Sequence, residues 1–220
     1  SILIVGAGPG LGAATAQRFA REGFAVGLIA RNPASLATLE AQVGRQGGTV
    51  GSYVADVSDR VALAAAVARA ASDLGPLALD CLAGDDPSAH LATLLKPVLE
   101  TTVEDLRAAT EFSLLGFATA AAAVLPSMID RGQGTILLVN GSSAVVPNGA
   151  VAGTSAGFAG ESAYAAMLHD AAAPHHVQVR QLIIPGAIGG GDPRFDPAAL
   201  AQRLWLLHTT PGTMRVIVGE

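Results

Sequence analysis

A run of glycines close to the start of the chain has the residue types and spacing to hold a diphosphate. Ile2–Val5 is apolar and mostly β-branched, and it leads into Gly-Ala-Gly-Pro-Gly-Leu-Gly and then into small residues at helical spacing. This order predicts a strand, a tight turn and a helix. Glycine tolerates positive φ and lets N–H groups approach a pyrophosphate at a helix N-terminus, although a purely structural turn uses the same residue type. The predicted phosphate-binding residues are Gly6, Gly8, Pro9, Gly10, Leu11 and Gly12.

Polar residues follow the next two predicted strands. A dinucleotide fold that takes NAD usually carries an acid after its second strand, where it binds the ribose 2′-hydroxyl, but this chain has Arg31-Asn32. A guanidinium can bind a phosphate bidentately, so NADP is favoured over NAD, with a solvated loop arginine as the alternative. Asp56, followed by Val57, ends the third strand, and both are predicted to bind the cofactor, as are Arg31 and Asn32. Asp56 could accept a hydrogen bond from the adenine amino group or cap the helix that starts near Ser58.

The elements that must position these residues alternate regularly. Apolar segments of strand length are separated by segments of helical periodicity. Predicted strands cover residues 2–5, 24–30, 49–55, 77–83, 135–139, 177–184 and 214–218. Predicted helices, besides the one after the glycines, cover 35–43, 61–74, 103–128 (ended or bent by Pro126), 154–173 and 197–208. This alternation predicts an α/β fold, a Rossmann-like doubly wound parallel sheet with helices on both faces and ligands beyond the carboxyl ends of the strands.

Composition narrows the function classes. The 220 residues are 50% hydrophobic and 14% charged, with no linker or charge block, which predicts a single dinucleotide-binding domain over residues 1–220. The net charge of −5 argues against a nucleic-acid partner, and apolar runs such as 118–125 are too short to span a bilayer. The single Cys81 fits a cytoplasmic location and excludes a cysteine zinc cluster. No metal is predicted, since Asp85, Asp86 and His90 are better explained as a polar loop than as a metal or acid–base site.

The ordered motifs resemble the short-chain dehydrogenase/reductase family over nearly the whole chain. The first three are Gly6, Gly10 and Gly12 in Gly-x-x-x-Gly-x-Gly spacing, Ala30-Arg31-Asn32 and Asp56-Val57. The later ones are Ala83-Gly84 after the fourth strand, Gly134-Thr135-Ile136 leading to Asn140-Gly141-Ser142-Ser143 on the fifth, and Pro185-Gly186-Ala187-Ile188 after the sixth. The resemblance implies a three-layer nicotinamide-cofactor fold, cofactor contacts from Ala83, Gly84, Pro185, Gly186 and Ile188, and Ser143 as the substrate-orienting serine. Ser142 is the adjacent alternative, and a plain serine at a strand end is the other interpretation.

The catalytic pair of that family is missing. Ordinary members carry Tyr-x-x-x-Lys about a dozen residues after the serine; the lysine lowers the pKa of the phenol, which protonates the developing alkoxide. The tyrosine position falls here at Thr-Ser-Ala, residues 154–156, and the lysine position at Phe-Ala-Gly, residues 158–160. Tyr164 would lie on the order of 13 Å too far along the helix. Lys96 is expected to be a solvated loop residue.

Other members of the family's proton relay are altered as well. Cys81-Leu82 occupy the positions of two asparagines, and Ser113 that of the asparagine in the long helix. Two functions therefore remain open. One is an NADP(H)-dependent oxidoreductase acting on a small carbonyl or alcohol. The other is a catalytically impaired NADP(H)-binding protein that serves as a sensor or oligomer partner. Small-residue faces on the helices at 118–123 and 156–166 match those that build a dimer interface in the family, so the resemblance implies a homodimer.

Overall fold

The described strands form one parallel sheet. The computed structural model describes residues 1–45, 47–82 and 94–220, and within them seven strands lie in the order β3-β2-β1-β4-β5-β6-β7. The strands are Ile2–Val5 (β1), Val26–Ala30 (β2), Val50–Val54 (β3), Ala78–Leu82 (β4), Gly134–Gly141 (β5), Val177–Ile184 (β6) and Arg215–Ile217 (β7). The chain order reverses between β1 and β4, so the carboxyl edge beside these strands is the switch point where ligands bind in such sheets.

Helices cover both faces of the sheet. The α-helices are Leu11–Arg21 (α1), Pro33–Gly44 (α2), Arg60–Leu74 (α3), Val103–Thr110 (α4), Gly116–Arg131 (α5), Ala152–Ala172 (α6) and Pro197–Thr209 (α7). One core lies on the face where Leu79 and Leu138 meet Phe117 of α5. The other lies on the face where Ile4 meets Phe19 of α1. The predicted doubly wound, three-layer fold is confirmed.

The predicted helix at 103–128 differs in two ways. A π-helical turn, Glu111–Leu115, separates α4 from α5, and Pro126 lies inside α5, which continues to Arg131. The proline does not end the helix, and both Pro126 and Ala122, whose carbonyl loses its helical partner to the proline, are exposed residues.

By length and composition alone, the helical stretch Val103–Arg131 could cross a membrane, which the short run at 118–125 did not suggest. Its buried side chains, however, belong to the protein core. Phe117, Val124 and Met128 pack in the same cluster as Leu79 of β4. This is the arrangement of a core helix.

Candidate cofactor and substrate site

The turn between β1 and α1 has the backbone geometry of an anion site. Gly6 has φ +83°, in the left-handed region that favours glycine. Its N–H and that of Ala7 each donate to the carbonyl oxygen of Ile29 at 3.0 Å, which ties the turn to β2. α1 begins behind Gly10 with no side-chain cap, so its first N–H groups and its dipole favour an anion there. Of the other predicted residues, Gly8 and Pro9 lie in the turn and Leu11 and Gly12 are buried in the first turn of α1.

Arg31 and Asp56 lie side by side at the carboxyl edge. Ala30 of β2 pairs with Val54 of β3, and the N–H of Ala55 donates to the carbonyl oxygen of Ala30 at 3.1 Å, so the residues that follow emerge together. Arg31 Nη1 is 3.7 Å from Asp56 Oδ2. Asp56 does not cap α3, whose N-cap is Asp59. The structure thus adds an ion pair that the two separate motifs did not reveal.

Two other residues predicted to bind cofactor have clear structural roles. Asn32 Oδ1 accepts hydrogen bonds from the N–H groups of Ala34 at 2.9 Å and Ser35 at 3.2 Å, so its side chain caps α2. Val57 is half-buried against α5: a Cβ on Gly116 would lie 3.1 Å from the carbonyl oxygen of Val57. Val57 therefore fixes how closely α5 approaches the end of β3.

The candidate catalytic serine follows β5. Asn140 is buried near the end of that strand, and the chain leaves it in a short 3₁₀ turn, Ser142–Ala144. Ser143 is half-buried, whereas Ser142 is exposed. The N–H of Val146 donates to the carbonyl oxygen of Ser142 at 2.9 Å, which holds the turn closed.

A buried polar network lies behind this turn. Asn140 Nδ2 donates to Glu161 Oε2 of α6 at 2.8 Å, and Gln181 Nε2 of β6 donates to Asn140 Oδ1 at 2.6 Å. Arg215 of β7 donates to Gln181 Oε1 at 2.7 Å and to the hydroxyl of Ser162 at 2.7 Å. Burial raises the pKa of Glu161 to about 8 despite the hydrogen bond from Asn140. The network fixes α6 against three strands next to the serine turn.

Sequence reasoning missed Glu161. One signal was present: no charged residue occurs between Arg131 and Glu161. A lone carboxylate in so apolar a stretch is either solvent-facing or buried with a partner, and only the fold decides which.

The helix that carries the tyrosine and lysine positions presents apolar or small groups there. Phe158 is buried with Ala144 and Ile183 in a separate apolar cluster. Ala156 is exposed and Gly160 is half-buried, with a Cβ on Gly160 reaching 3.5 Å from Leu114. These positions therefore offer neither a phenol nor an ammonium group.

Lys96 and Tyr164, the two candidates to replace the missing pair, contact other residues. Lys96, expected to be a solvated loop residue, is 38% exposed but also paired: its Nζ lies 2.9 Å from both oxygens of Asp105. That contact and the hydrogen bonds from Thr102 lower the pKa of Asp105 to about 2. Tyr164 packs edge-on against Phe117, with ring centroids 6.0 Å apart.

The position of the relay asparagine lies in the π-helical turn. Ser113 is buried there, and its hydroxyl donates to the carbonyl oxygen of Ala109 at 2.6 Å. π-Helical turns of this kind occur often at functional sites. The backbone irregularity is thus present although the amide side chain is absent.

The segment after β6 folds back on the core. Pro185 is exposed and Ile188 half-buried, and a Cβ on Gly186 would collide with the ring of Phe195. Phe195 is itself buried, and its carbonyl oxygen accepts from the N–H of Gly189 at 3.0 Å. Gly186 therefore has a packing reason to be glycine, independent of any cofactor.

Ala83 and Gly84, predicted to contact cofactor, lie outside the described residues, as do Asp85, Asp86 and His90. Within the ranges that are described, no three His, Cys, Asp or Glu side chains gather in a way that could hold a metal ion.

Known proteins that resemble this chain in sequence or structure are short-chain dehydrogenases and related reductases. Residues 1–191 match a family model described as short chain dehydrogenase. The chain is 28% identical over 151 residues to 2,3-dihydro-2,3-dihydroxybenzoate dehydrogenase of Bacillus subtilis, which covers 68% of this chain and 55% of that protein. It is 28% identical over 144 residues to D-threitol dehydrogenase of Mycolicibacterium smegmatis, covering 66% and 53%. The chain thus spans about half the length of the curated relatives it matches.

Solved structures match along almost their full length. A short-chain dehydrogenase from Rhodopseudomonas palustris superposes with a TM-score of 0.86 at 25% identity, covering 100% of this chain and 97% of that one. A metagenomic short-chain oxidoreductase in complex with NADP gives 0.83 at 22% identity, with 99% and 96% covered. A 3-oxoacyl-[acyl-carrier protein] reductase with bound NAD from Brucella melitensis gives 0.83 at 24% identity, with 99% and 88% covered.

Proposed function

The chain belongs to the short-chain dehydrogenase/reductase family of oxidoreductases, and from this premise we propose that it binds NADP(H) and acts on a small carbonyl or alcohol. The observation that carries the proposal is Arg31, which follows β2 at the same edge as the Gly6 turn of the neighbouring β1. A guanidinium there can bind the 2′-phosphate bidentately. NAD is less favoured because this position holds an acid in folds that bind the 2′-hydroxyl.

Each part of the site has a role in this proposal. The turn at 6–12 holds the diphosphate, Arg31 the 2′-phosphate, Asp56 and Val57 the adenine end, and the segment at 185–188 the nicotinamide end. When bound, the cofactor supplies or accepts the hydride. The Ser143 hydroxyl donates a hydrogen bond to the substrate carbonyl and orients it, while water provides the proton at that oxygen.

The relatives agree with this class of function. The metagenomic oxidoreductase binds NADP and the Brucella reductase binds NAD, so both cofactors occur on this fold. The names of the Bacillus and Mycolicibacterium relatives specify dehydrogenases of small hydroxyl-bearing molecules.

A second function, cofactor binding without turnover, is favoured by a different observation. At the positions where a proton donor and its activating cation would stand, residues 154–156 and 158–160, the chain has Thr-Ser-Ala and Phe-Ala-Gly. A positioned general acid contributes roughly 10²- to 10⁴-fold to rate. Such a protein would serve as a sensor or as the partner of an active relative.

The deciding experiment measures binding first and chemistry second. Calorimetry with NADPH establishes affinity, and single-turnover NADPH oxidation with a panel of ketones and aldehydes then tests hydride transfer. An oxidoreductase should oxidise NADPH slowly with at least one carbonyl, roughly 10²- to 10⁴-fold below a relative that has the tyrosine. Tight binding with no oxidation favours the second function.

Arg31→Asp tests the cofactor assignment, with Arg203→Asp, an exposed arginine on α7, as the matched charge control. The first variant should lose affinity for NADPH relative to NADH, and the second should not. An unchanged NADPH to NADH ratio in Arg31→Asp would contradict the phosphate role.

We also propose a cytoplasmic homodimer without membrane or nucleic-acid partners. Within the chain, Gly153 packs on Leu94 and Gly157 on Ala109. Ala156, Ala159 and Ala163 remain exposed on one face of α6, so the small-residue stripe has an outward half that supports association with a second copy.

A further inference from the structure

The ion pair at the carboxyl edge of β2 and β3 links two residues that the cofactor would meet separately. Arg31 Nη1 stands 3.7 Å from Asp56 Oδ2, and the two side chains are 36% and 42% exposed. Both therefore remain accessible to a ligand at that edge. A phosphate arriving at Arg31 would also meet the negative charge of Asp56.

The surrounding contacts fix the direction of the Asp56 carboxylate. Its Oδ1 accepts a hydrogen bond from the N–H of Ser58 at 2.8 Å, which leaves Oδ2 directed at Arg31. The carboxylate cannot rotate away from the guanidinium without breaking that hydrogen bond.

Two polar side chains close to this ion pair in sequence, among the described residues, are held by other groups. Asn32 is bound to the first turn of α2, and Arg60, the first arginine after Asp56, is paired with Glu111 at 3.6 Å. Neither of these two side chains therefore offsets the repulsion between Asp56 and a 2′-phosphate.

We propose that Asp56 sets cofactor choice by competing with the 2′-phosphate for Arg31, an inference that rests on the proposed function. The carboxylate repels the phosphate of NADPH and accepts a hydrogen bond from the 2′-hydroxyl of NADH. The preference for NADPH is consequently smaller than Arg31 alone would give, because Arg31 favours NADPH and Asp56 favours NADH. Removing the charge of Asp56 makes the site more selective for NADPH.

The test is a set of dissociation constants measured by calorimetry, without turnover. NADPH and NADH form one pair of ligands, and adenosine 2′,5′-bisphosphate and adenosine 5′-monophosphate form a second pair that isolates the adenine end. Asp56→Asn should raise the affinity ratio for the 2′-phosphorylated ligand roughly two- to five-fold, the range of a half-exposed ion pair. Asp59→Asn is the matched control, because it removes the same charge three residues away and asparagine still caps α3.

The double variant Arg31→Ala/Asp56→Asn distinguishes competition for Arg31 from an effect of the Asp56 charge on any negatively charged ligand. In the Arg31→Ala background, Asp56→Asn should raise the ratio by less than it does when Arg31 is present, because only the direct effect of the carboxylate on the 2′-group remains to be removed. The inference is overturned if Asp56→Asn weakens both members of a ligand pair equally, as loss of an adenine contact would. It is also overturned if the ratio is unchanged, or if it shifts as much without Arg31. If the unmodified chain binds neither NADPH nor NADH, the proposed function fails as well.

Discussion

Asp80 is a carboxyl group without a partner in the middle of the sheet. It is fully buried on β4, between Ile4 of β1 and Leu137 of β5, and among the described residues neither of its oxygens has a hydrogen-bond partner. Burial raises its pKa from the ordinary 3.8 to about 8. Glu161 also has a pKa of about 8, but it accepts a hydrogen bond from Asn140. Asp80 is the more costly of the two when ionised, because no described residue donates a hydrogen bond to its carboxylate.

Asp80 should make the protein less stable as pH rises. Between about pH 4 and pH 8, the folded protein keeps a proton on Asp80 that the unfolded chain has released, so the free energy of unfolding falls with pH in this window. Asp80→Asn removes the titration at nearly constant size. Its stability relative to the unmodified chain should grow by up to about 1.4 kcal/mol per pH unit across the window. Urea denaturation at pH 5, 6.5 and 8 measures this difference.

Asp130→Asn, which removes an exposed carboxylate on α5, is the control and should leave the pH slope unchanged. An Asp80→Asn advantage that is the same at pH 5 and pH 8 would mean that Asp80 is already ionised at pH 5.

At the residue scale, the sequence predicts which residues can bind a ligand, but it does not predict which side chains contact one another in the folded protein. The glycine turn and Arg31 were identified because their residue types are unusual for their place after a strand. The Arg31–Asp56 pair, the Glu161 network and the Lys96–Asp105 contact depend on which strands and helices become neighbours. Residue type and spacing along one chain do not contain that information.

At the scale of elements, α6 is positioned by its glycines. A Cβ on Gly157 would lie 2.9 Å from the carbonyl oxygen of Ala109, a backbone atom of α4 that cannot move aside cheaply. A Cβ on Gly160, three residues on, would make only an ordinary 3.5 Å contact with Leu114. Gly157 thus sets the distance between α6 and α4, whereas Gly160 does not.

Alanine substitutions at these two glycines should have opposite effects. Alanine is the better helix former by about 1 kcal/mol, so Gly160→Ala should stabilise the protein by roughly 0.4–1 kcal/mol. Gly157→Ala should destabilise it, because overpacking costs about 1–3 kcal/mol and outweighs the helical gain. Thermal unfolding followed by circular dichroism measures both, at about 2–4 °C per kcal/mol for a chain of this size. Equal stabilisation by both variants would show that α6 moves freely against α4.

Most strands and helices could be predicted from the sequence, but the π-helical turn and the continuation of α5 past Pro126 could not. Strands and helices were found from period and β-branched runs because those signals act locally. The π-helical turn at Glu111–Leu115 gave no such signal, since Glu-Phe-Ser-Leu-Leu fits an ordinary helix. Pro126 predicted an end or a bend, and the helix does not end there but continues to Arg131. Neither irregularity could be read from the local sequence pattern.

At the scale of the whole molecule, residues beyond the family match complete the fold. The match ends at residue 191, yet α7 buries Leu200 and Leu204 in the core that contains Ile4, and β7 pairs with β6. The parallel sheet with helices on both faces follows from the βαβ alternation, which is why that architecture could be predicted from sequence, whereas the order of the strands was not predicted. The sequences of α7 and β7 themselves do not show that these elements pack into the core that contains Ile4.

The chain should therefore unfold as one cooperative unit, as the predicted single domain requires. Its only tryptophan, Trp205 of α7, packs edge-on against Phe19 of α1 with ring centroids 5.1 Å apart, and the guanidinium of Arg18 lies 4.7 Å from the indole centroid. Its fluorescence reports whether α7 remains docked on α1, while far-ultraviolet circular dichroism reports all helices. In urea, the two midpoints should coincide.

The variant Trp205→Phe extends this comparison to the opposite side of the molecule, because its remaining emission comes from Tyr53 of β3 and Tyr164 of α6. The substitution should lower stability without separating the transitions, since phenylalanine keeps part of the aromatic contact with Phe19. If tryptophan fluorescence in the unmodified chain changes at a lower urea concentration than circular dichroism, α7 and β7 unfold as a separate unit. In that case the strands β1 to β6, which precede residue 191, stay folded without α7 and β7, and they alone form the carboxyl edge between β1 and β4.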